Sequence, residues 1–307
     1  MGETMSTSFV ATLISASGVE ALDGGVIARA RGELPGVGEP VWLAAGVAAD
    51  LTFDGTEAAK VVAERVRAAL GAAPVDVVVQ PVAGRRKGLL VADMDSTMIG
   101  QECIDELAAE VGIKAHVSAI TERAMRGELA FEPALRERVG LLKGVAADVV
   151  DKIIAERITL TPGGRTLIQT MRAHGGYCAL VSGGFTVFTS RIAAMIGFDE
   201  NRANVLETEM VAGREVLAGT VREPILGQDA KRDSLHELAA MRGLPLGATL
   251  AVGDGANDLV MIRDAGLGVA FRAKPKVAAE AAARIEHADL TALLYAQGYA
   301  LGEFVSG

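Results

Sequence analysis

Two aspartates, Asp93 and Asp95, stand two residues apart in the run Val91-Ala92-Asp93-Met94-Asp95-Ser96-Thr97. The apolar residues before them read as a buried strand. The carboxylates therefore leave its C-terminal end, the edge at which α/β folds bind ligands. Ionised carboxylates this close repel each other unless a cation joins them. A hard ion such as Mg2+ takes oxygen ligands and substrate phosphates together, and a carboxylate can itself attack phosphorus to give a covalent intermediate. Alone, the pair could equally be an acidic exit from a strand. A second acidic group, Gly253-Asp254-Gly255-Ala256-Asn257-Asp258, also follows an apolar run, Thr249 to Val252. Its glycines let backbone approach a ligand closely. Alone it is an Asp-rich turn. Two acidic clusters at one edge of one sheet are hard to explain without a metal.

Three weaker signals accompany them. Val181-Ser182-Gly183-Gly184-Phe185 follows another apolar run, and a hydroxyl with backbone N–H groups at a helix N-terminus forms an anion site, though an ordinary helix cap has the same composition. Lys231, in Gln228-Asp229-Ala230-Lys231-Arg232, lies on a predicted helix, where a lone lysine is usually solvated. Helical geometry selects Arg138. It shares a face with Phe131, Leu135 and Leu142, whereas Arg136 points elsewhere. A cation within an apolar face needs an anionic partner, either an internal carboxylate or a ligand. Cys103 and Cys178 have neither CxxC nor metal-ligand spacing, which suits structural roles in a reducing compartment.

The elements that must position these groups are legible in outline. Residues 1 to 84 read as β-α-β-β-α-β, a ferredoxin-like α+β order. Phe9 to Ser15, Val41 to Leu43, Asp50 to Phe53 and Val75 to Gln80 are its strands. Ala21 to Arg31 and Thr56 to Leu70 are its helices, the second with Ala59, Val62, Val66 and Ala69 on one face. Pro81, Gly84, Arg85, Arg86 and Lys87 read as a linker whose basic trio is a solvated hinge. From residue 85 onward the chain reads as a doubly wound, Rossmann-like α/β domain. Gly88 to Ala92, Tyr177 to Val181, Thr249 to Val252 and Gly268 to Ala270 are its parallel strands. A helical insertion of four short helices occupies about residues 100 to 157.

Composition narrows the partners. Half of the 307 residues are hydrophobic, ample for a buried core. The net charge of −9, with no basic stripe, argues against nucleic acid. No run reaches the ~20 apolar residues of a membrane span, no signal peptide is evident, and a cytoplasmic location is expected. The opening Met1 to Ser6 nominally fits a myristoylation pattern; Met5 as the natural start is the simpler reading.

The order DxDST, SGG, Lys, GDGAND resembles the haloacid dehalogenase-like hydrolase superfamily. The DMDST and GDGAND versions resemble its branch that acts on phosphoserine. The resemblance covers about residues 88 to 300. It implies that Asp93 is the nucleophile and Asp95 the general acid and base. It implies that Mg2+ is held by Asp93, Asp254 and the Asp95 backbone carbonyl, with Asp258 holding one of its waters. Ser182, Gly183 and Lys231 would contact the phosphoryl oxygens, with Asn257 assisting. The insertion would be a cap over the substrate. Glu102 and the Phe131-Glu132 and Leu135-Arg136-Glu137-Arg138-Val139 segments match the cap's substrate-binding residues. Arg138 would then clamp the substrate carboxylate and Glu102 its ammonium. The expected activity is Mg2+-dependent hydrolysis of O-phospho-L-serine, the last step of serine biosynthesis. The N-terminal unit resembles ACT-like modules and would bind serine or another amino acid as effector, or form a homodimer. Two other readings stay open: hydrolysis or phosphoryl transfer on another small phosphomonoester, and an amino-acid sensor with an inactive phosphatase domain.

Overall fold

The computed structural model describes residues 7–305; the Met1 to Ser6 pattern lies outside them. Strands β1 (Thr7–Ser15), β2 (Val41–Ala44), β3 (Ala48–Gly55) and β4 (Val75–Pro81) form an antiparallel sheet in the order β2-β3-β1-β4. Helices α1 (Gly24–Gly32) and α2 (Ala59–Leu70) complete the ferredoxin-like arrangement. Asp23 caps α1, its carboxylate accepting the Val26 N–H, so the helix starts three residues later than its apolar pattern suggests. Val62, Ala63, Val66 and Leu70 of α2 are buried against Leu13, Leu51, Val77 and Val79 of the sheet.

The second sheet has six strands, all parallel: β5 (Leu89–Ala92), β6 (Tyr177–Phe185), β7 (Glu200–Asn204), β10 (Thr249–Gly253), β11 (Leu267–Phe271) and β12 (Ala283–Ile285). Their order is β12-β11-β10-β5-β6-β7. The central β5, β10 and β11 are buried throughout, hence their unbroken apolar runs. The edges carry polar or very short strands. β7 reads Glu-Asn-Arg-Ala-Asn and β12 has three residues, which is why their sequences gave no strand signal.

Between β5 and β6 lie α3 (Cys103–Glu110), α4 (Lys114–Met125), α5 (Phe131–Gly140), α6 (Val149–Glu156) and α7 (Gly164–Ala173). After β6 come α8 (Thr186–Ile196) and a hairpin, β8 (Leu206–Val211) and β9 (Arg214–Val221). The sequence pattern did not reveal this hairpin. It joins the insertion through Gly144 N–H to Leu217 O (2.9 Å) and Leu217 N–H to Val145 O (2.8 Å). Helix α9 (Gln228–Met241) then precedes β10, α10 (Leu259–Asp264) follows it, α11 (Pro275–Glu280) precedes β12, and α12 (Ala292–Ala296) lies near the end. No helix among the described residues is long and apolar enough to cross a membrane.

The hinge expectation needs correction. One apolar cluster runs across the junction, joining Ile14, Ala48 and Val78 to Leu290, Leu294 and Tyr295. Asp76 accepts the backbone N–H groups of Glu286 (2.8 Å) and Ala288 (2.8 Å), and Gln80 donates to Ala296 O (2.7 Å). Arg85 pairs with Asp50 at 2.6 Å, Arg86 lies 4.1 Å over the Tyr299 ring, and Lys87 is buried with its ammonium on Gly84 O and Gly247 O. The basic trio is thus anchored, Arg85 and Lys87 largely out of solvent and Arg86 with its side chain still exposed. Most of its partners are supplied by residues far away in sequence, which no local pattern reports.

Candidate active site

Strand register builds the site. Ala92 pairs with Val252 on one side and Leu180 on the other, so Asp93, Gly253 and Val181 lie at the same level of the sheet. The Asp93 N–H continues the ladder to Val252 O at 3.0 Å. Beyond it the chain turns sharply, with Ser96 in the left-handed region at φ 55°.

Lys231 is wholly buried. Its ammonium reaches Asp93 Oδ1 at 2.7 Å and Asp258 Oδ1 at 2.6 Å, so the solvated reading of this lysine is excluded. Burial opposes its charge, but Asp258 and Asp93 overcome this and raise its pKa. Met94 N–H also donates to Asp93 Oδ1 at 2.8 Å, leaving Oδ2 for a ligand. Asp258 Oδ2 accepts the Gly255 N–H at 3.1 Å, which holds the Gly253 to Asp258 loop closed. A Cβ on Gly253 would lie 2.4 Å from Asp258 Cγ, so this position must be glycine for the aspartate to reach the lysine.

Oxygens of Asp93, Asp254 and Asp258 all lie within 4.8 Å of one another, every residue buried. Lys231 offsets one charge of the three and leaves an excess of two. Burial, then Asp258, raises the Asp93 carboxyl to about 7. Burial, then Asp258 and Glu102, holds Asp254 well above the usual carboxylate range. An all-oxygen donor set with this charge excess fits a hard divalent cation.

Above this floor is a cavity of about 700 Å3 between the sheet edge and the helical insertion. That size suits a small-molecule site. Asp93, Asp95, Glu102, Phe131, Arg138, Ser182, Gly183 and Asn257 all line it, whereas Lys231, Asp254 and Asp258 lie beneath. Asp95 accepts the Cys103 N–H at 3.1 Å; burial, then Asp93, raises its pKa to about 7. Ser182 Oγ accepts the Gly184 N–H at 2.9 Å, which frees its own hydrogen to donate. Asn204, a residue the sequence did not single out, fixes this loop by donating to Gly183 O at 2.9 Å. Asn257 Oδ1 is buried without a protein partner.

The insertion closes over these groups. A Cβ on Gly183 would lie 2.8 Å from the Phe131 ring, and one on Gly255 2.4 Å from Met125 Cε, so the cap side chains seat directly on both glycine loops. Arg138 is 5% exposed. It donates to Ala134 O at 3.0 Å and Thr121 Oγ1 at 3.0 Å, and no carboxylate lies within 4.0 Å of it among the described residues. Glu102 accepts the Ser96 hydroxyl at 2.6 Å; burial, then Asp95, raises its pKa to about 8. Cys103 and Cys178 are buried and free, and neither lines the cavity.

Comparison with known proteins agrees with this construction. The model of the haloacid dehalogenase-like hydrolase family matches residues 90–263. A phosphoserine phosphatase of Streptomyces coelicolor is 46% identical over 231 residues, 75% of this chain and 55% of that protein. The chain thus spans little more than half the length of that relative. A substrate-bound phosphoserine phosphatase structure superposes with a TM-score of 0.63 at 41% identity, covering 68% of this chain and 97% of the other. A haloacid dehalogenase family hydrolase from Salmonella enterica superposes over 95% of this chain and 98% of its own, with a TM-score of 0.80 at 29% identity. By the match over the catalytic sheet and the acidic cluster at its edge, the chain belongs to the haloacid dehalogenase-like hydrolases.

Proposed function

We propose that this protein is a Mg2+-dependent phosphatase that hydrolyses O-phospho-L-serine, the step that completes serine biosynthesis, in the cytoplasm. The observation that carries the substrate is Arg138. It is a buried guanidinium with no carboxylate partner, lining the same cavity as the Asp93 and Asp95 carboxylates. The cavity thus offers a phosphate end and a carboxylate end, with Glu102 available to an ammonium. The similarity to phosphoserine phosphatases at 46% and 41% identity supports the same reading.

In this mechanism an Asp93 carboxylate oxygen attacks phosphorus and the bond from phosphorus to the serine oxygen breaks. Asp95, whose raised pKa lets it carry a proton near neutrality, protonates the departing oxygen. Asp95 then takes a proton from the water that attacks the aspartyl-phosphate, releasing phosphate and restoring Asp93. Lys231, the Ser182 hydroxyl and the Gly183 loop hold the phosphoryl oxygens, whose charge shifts in the transition state. Mg2+ would be held by Asp93, Asp254 and the Asp95 carbonyl, and supplies charge neutralisation to the phosphoryl group. Asp258, held by Lys231, would order water beside the ion. The N-terminal sheet is proposed as an ACT-like module that binds an amino-acid effector or pairs with a second copy.

The decisive experiment measures phosphate release from phosphoserine by the native protein and by Asp93→Asn, verified by mass to be free of deamidation. The native protein should turn over and the variant should not, with circular dichroism unchanged. Substantial turnover by the variant would refute the nucleophile.

A further inference from the structure

Arg138 does not hold its position by ion pairing. The Thr121 hydroxyl on α4 accepts its Nη1–H at 3.0 Å, and Ala134 O accepts its Nε–H at 3.0 Å. A guanidinium only donates, so the Thr121 oxygen must accept there. Its hydrogen therefore points elsewhere, and of the two acceptors in reach the charged Asp105 Oδ1 on α3, at 2.8 Å, is nearer than Val117 O at 3.1 Å. Asp105 is itself buried and also accepts the Ser118 hydroxyl at 2.5 Å. One hydroxyl thus stands between a buried carboxylate and a buried guanidinium. Direct contact would neutralise Arg138, which lines the cavity. The hydroxyl prevents that while fixing the orientation of the guanidinium. The remaining N–H groups of Arg138, those of Nη2 included, have no protein acceptor among the described residues, and no carboxylate lies within 4.0 Å of it.

We propose that Thr121, oriented by Asp105, is a positioning residue that keeps Arg138 aimed at the substrate carboxylate and uncapped by the cap's own acid. This inference rests on the phosphoserine reading and assigns a further residue to its specificity. Thr121 also lines the cavity, so its placement ties α3, α4 and α5 to the ligand.

The test compares phosphoserine with phosphoethanolamine, which keeps the ammonium and the phosphate ester but lacks the carboxylate. Thr121→Val should raise KM for phosphoserine about tenfold, since a buried donor then lacks its acceptor. It should leave kcat within about threefold and leave kcat/KM on phosphoethanolamine unchanged. Thr121→Ser, which restores the hydroxyl, should return KM toward the native value. Native protein that does not prefer phosphoserine overturns the substrate reading and this inference together. A native preference that Thr121→Val retains, equal losses on both substrates, or failure of serine to rescue overturns the positioning role alone. Thr121→Ala is read the same way if the valine variant does not fold. Failure of both to fold assigns Thr121 to the structure of the cap and overturns the proposal as well.

Discussion

At the residue scale the site is a set of buried charges that need what they lack. Asp93, Asp254 and Asp258 cluster around one lysine that pairs with only two of them, and Arg138 has hydrogen-bond partners but no anion. Each deficit predicts a ligand. If the carboxylate excess is a cation site, added Mg2+ binds the folded protein and raises its melting temperature. Mg2+ at 100 times its Kd stabilises by about 2.7 kcal/mol, which for a chain of this size is a shift of roughly 4 °C. Differential scanning calorimetry with Mg2+ and with EDTA measures this, and Asp254→Asn should remove most of the shift. An unchanged melting temperature would count against the cation. If Arg138 binds a substrate carboxylate, Arg138→Ala leaves that anion buried and unpaired at a cost of about 2–5 kcal/mol. Activity on phosphoserine should then fall far more than on phosphoethanolamine. Equal losses would mean that the arginine serves cap folding instead.

At the element scale, chemistry depends on how closely loops approach one another. The first glycine of Gly253-Asp254-Gly255 is needed because the Asp258 side chain fills the space a methyl group would take. Gly253→Ala should displace Asp258 from Lys231 and Gly255. Misplacement of about 1 Å can cost 10²-fold in rate, and overpacking costs about 1–3 kcal/mol. Gly24→Ala is the control. Its Cβ would meet nothing within 4 Å, in the first turn of α1, so neither activity nor stability should fall. Steady-state kinetics and thermal melts on the pair decide the point; equal behaviour of the two variants would show that the contact is not restrictive. The cap is similarly an assembly. Helices α3 to α6 were legible from helical patterning, but the β8–β9 hairpin that pairs with residues 144–147 was not. Its exposed Glu-Thr-Glu-Met run gives no apolar alternation, and its pairing is with a distant loop.

At the scale of the whole molecule the N-terminal sheet is more than an appendage. One face holds α1 and α2, and the other covers the segment from Glu286 to Tyr299. A chain beginning at Val82 would uncover Leu294 and Tyr295 and leave the N–H groups of Glu286, His287 and Ala288 without Asp76. Each buried group left unsatisfied costs about 1–3 kcal/mol, less where water reaches it. Truncation should therefore lower the melting temperature and solubility while leaving the catalytic groups in place. Circular dichroism and phosphate release on the truncated and full-length proteins measure this. A truncated protein as stable as the full chain would mean that the seam contributes little.

The sequence by itself determined the chemistry and the order of its parts. Asp93, Asp95, Ser182 and Asp254 announce themselves because a doubly wound sheet puts the C-terminal ends of its buried strands at one edge, and those strands are apolar runs, whereas Lys231, on a helix, gains weight only from its place in the order of motifs. Arg138 was legible for a related reason, since a helical face displays its one misplaced cation. Tertiary structure alone decided which acid each cation meets. Lys231 pairs with Asp93 and Asp258, Arg138 meets a threonine hydroxyl instead of a carboxylate, and the basic linker is held by Asp50, Gly247 and the C-terminal segment. Patterning records whether a side chain faces inward, a property of the local helix or strand. Its partner comes from another element, often more than a hundred residues away, and is chosen by packing when the sheets, cap and tail close on one another.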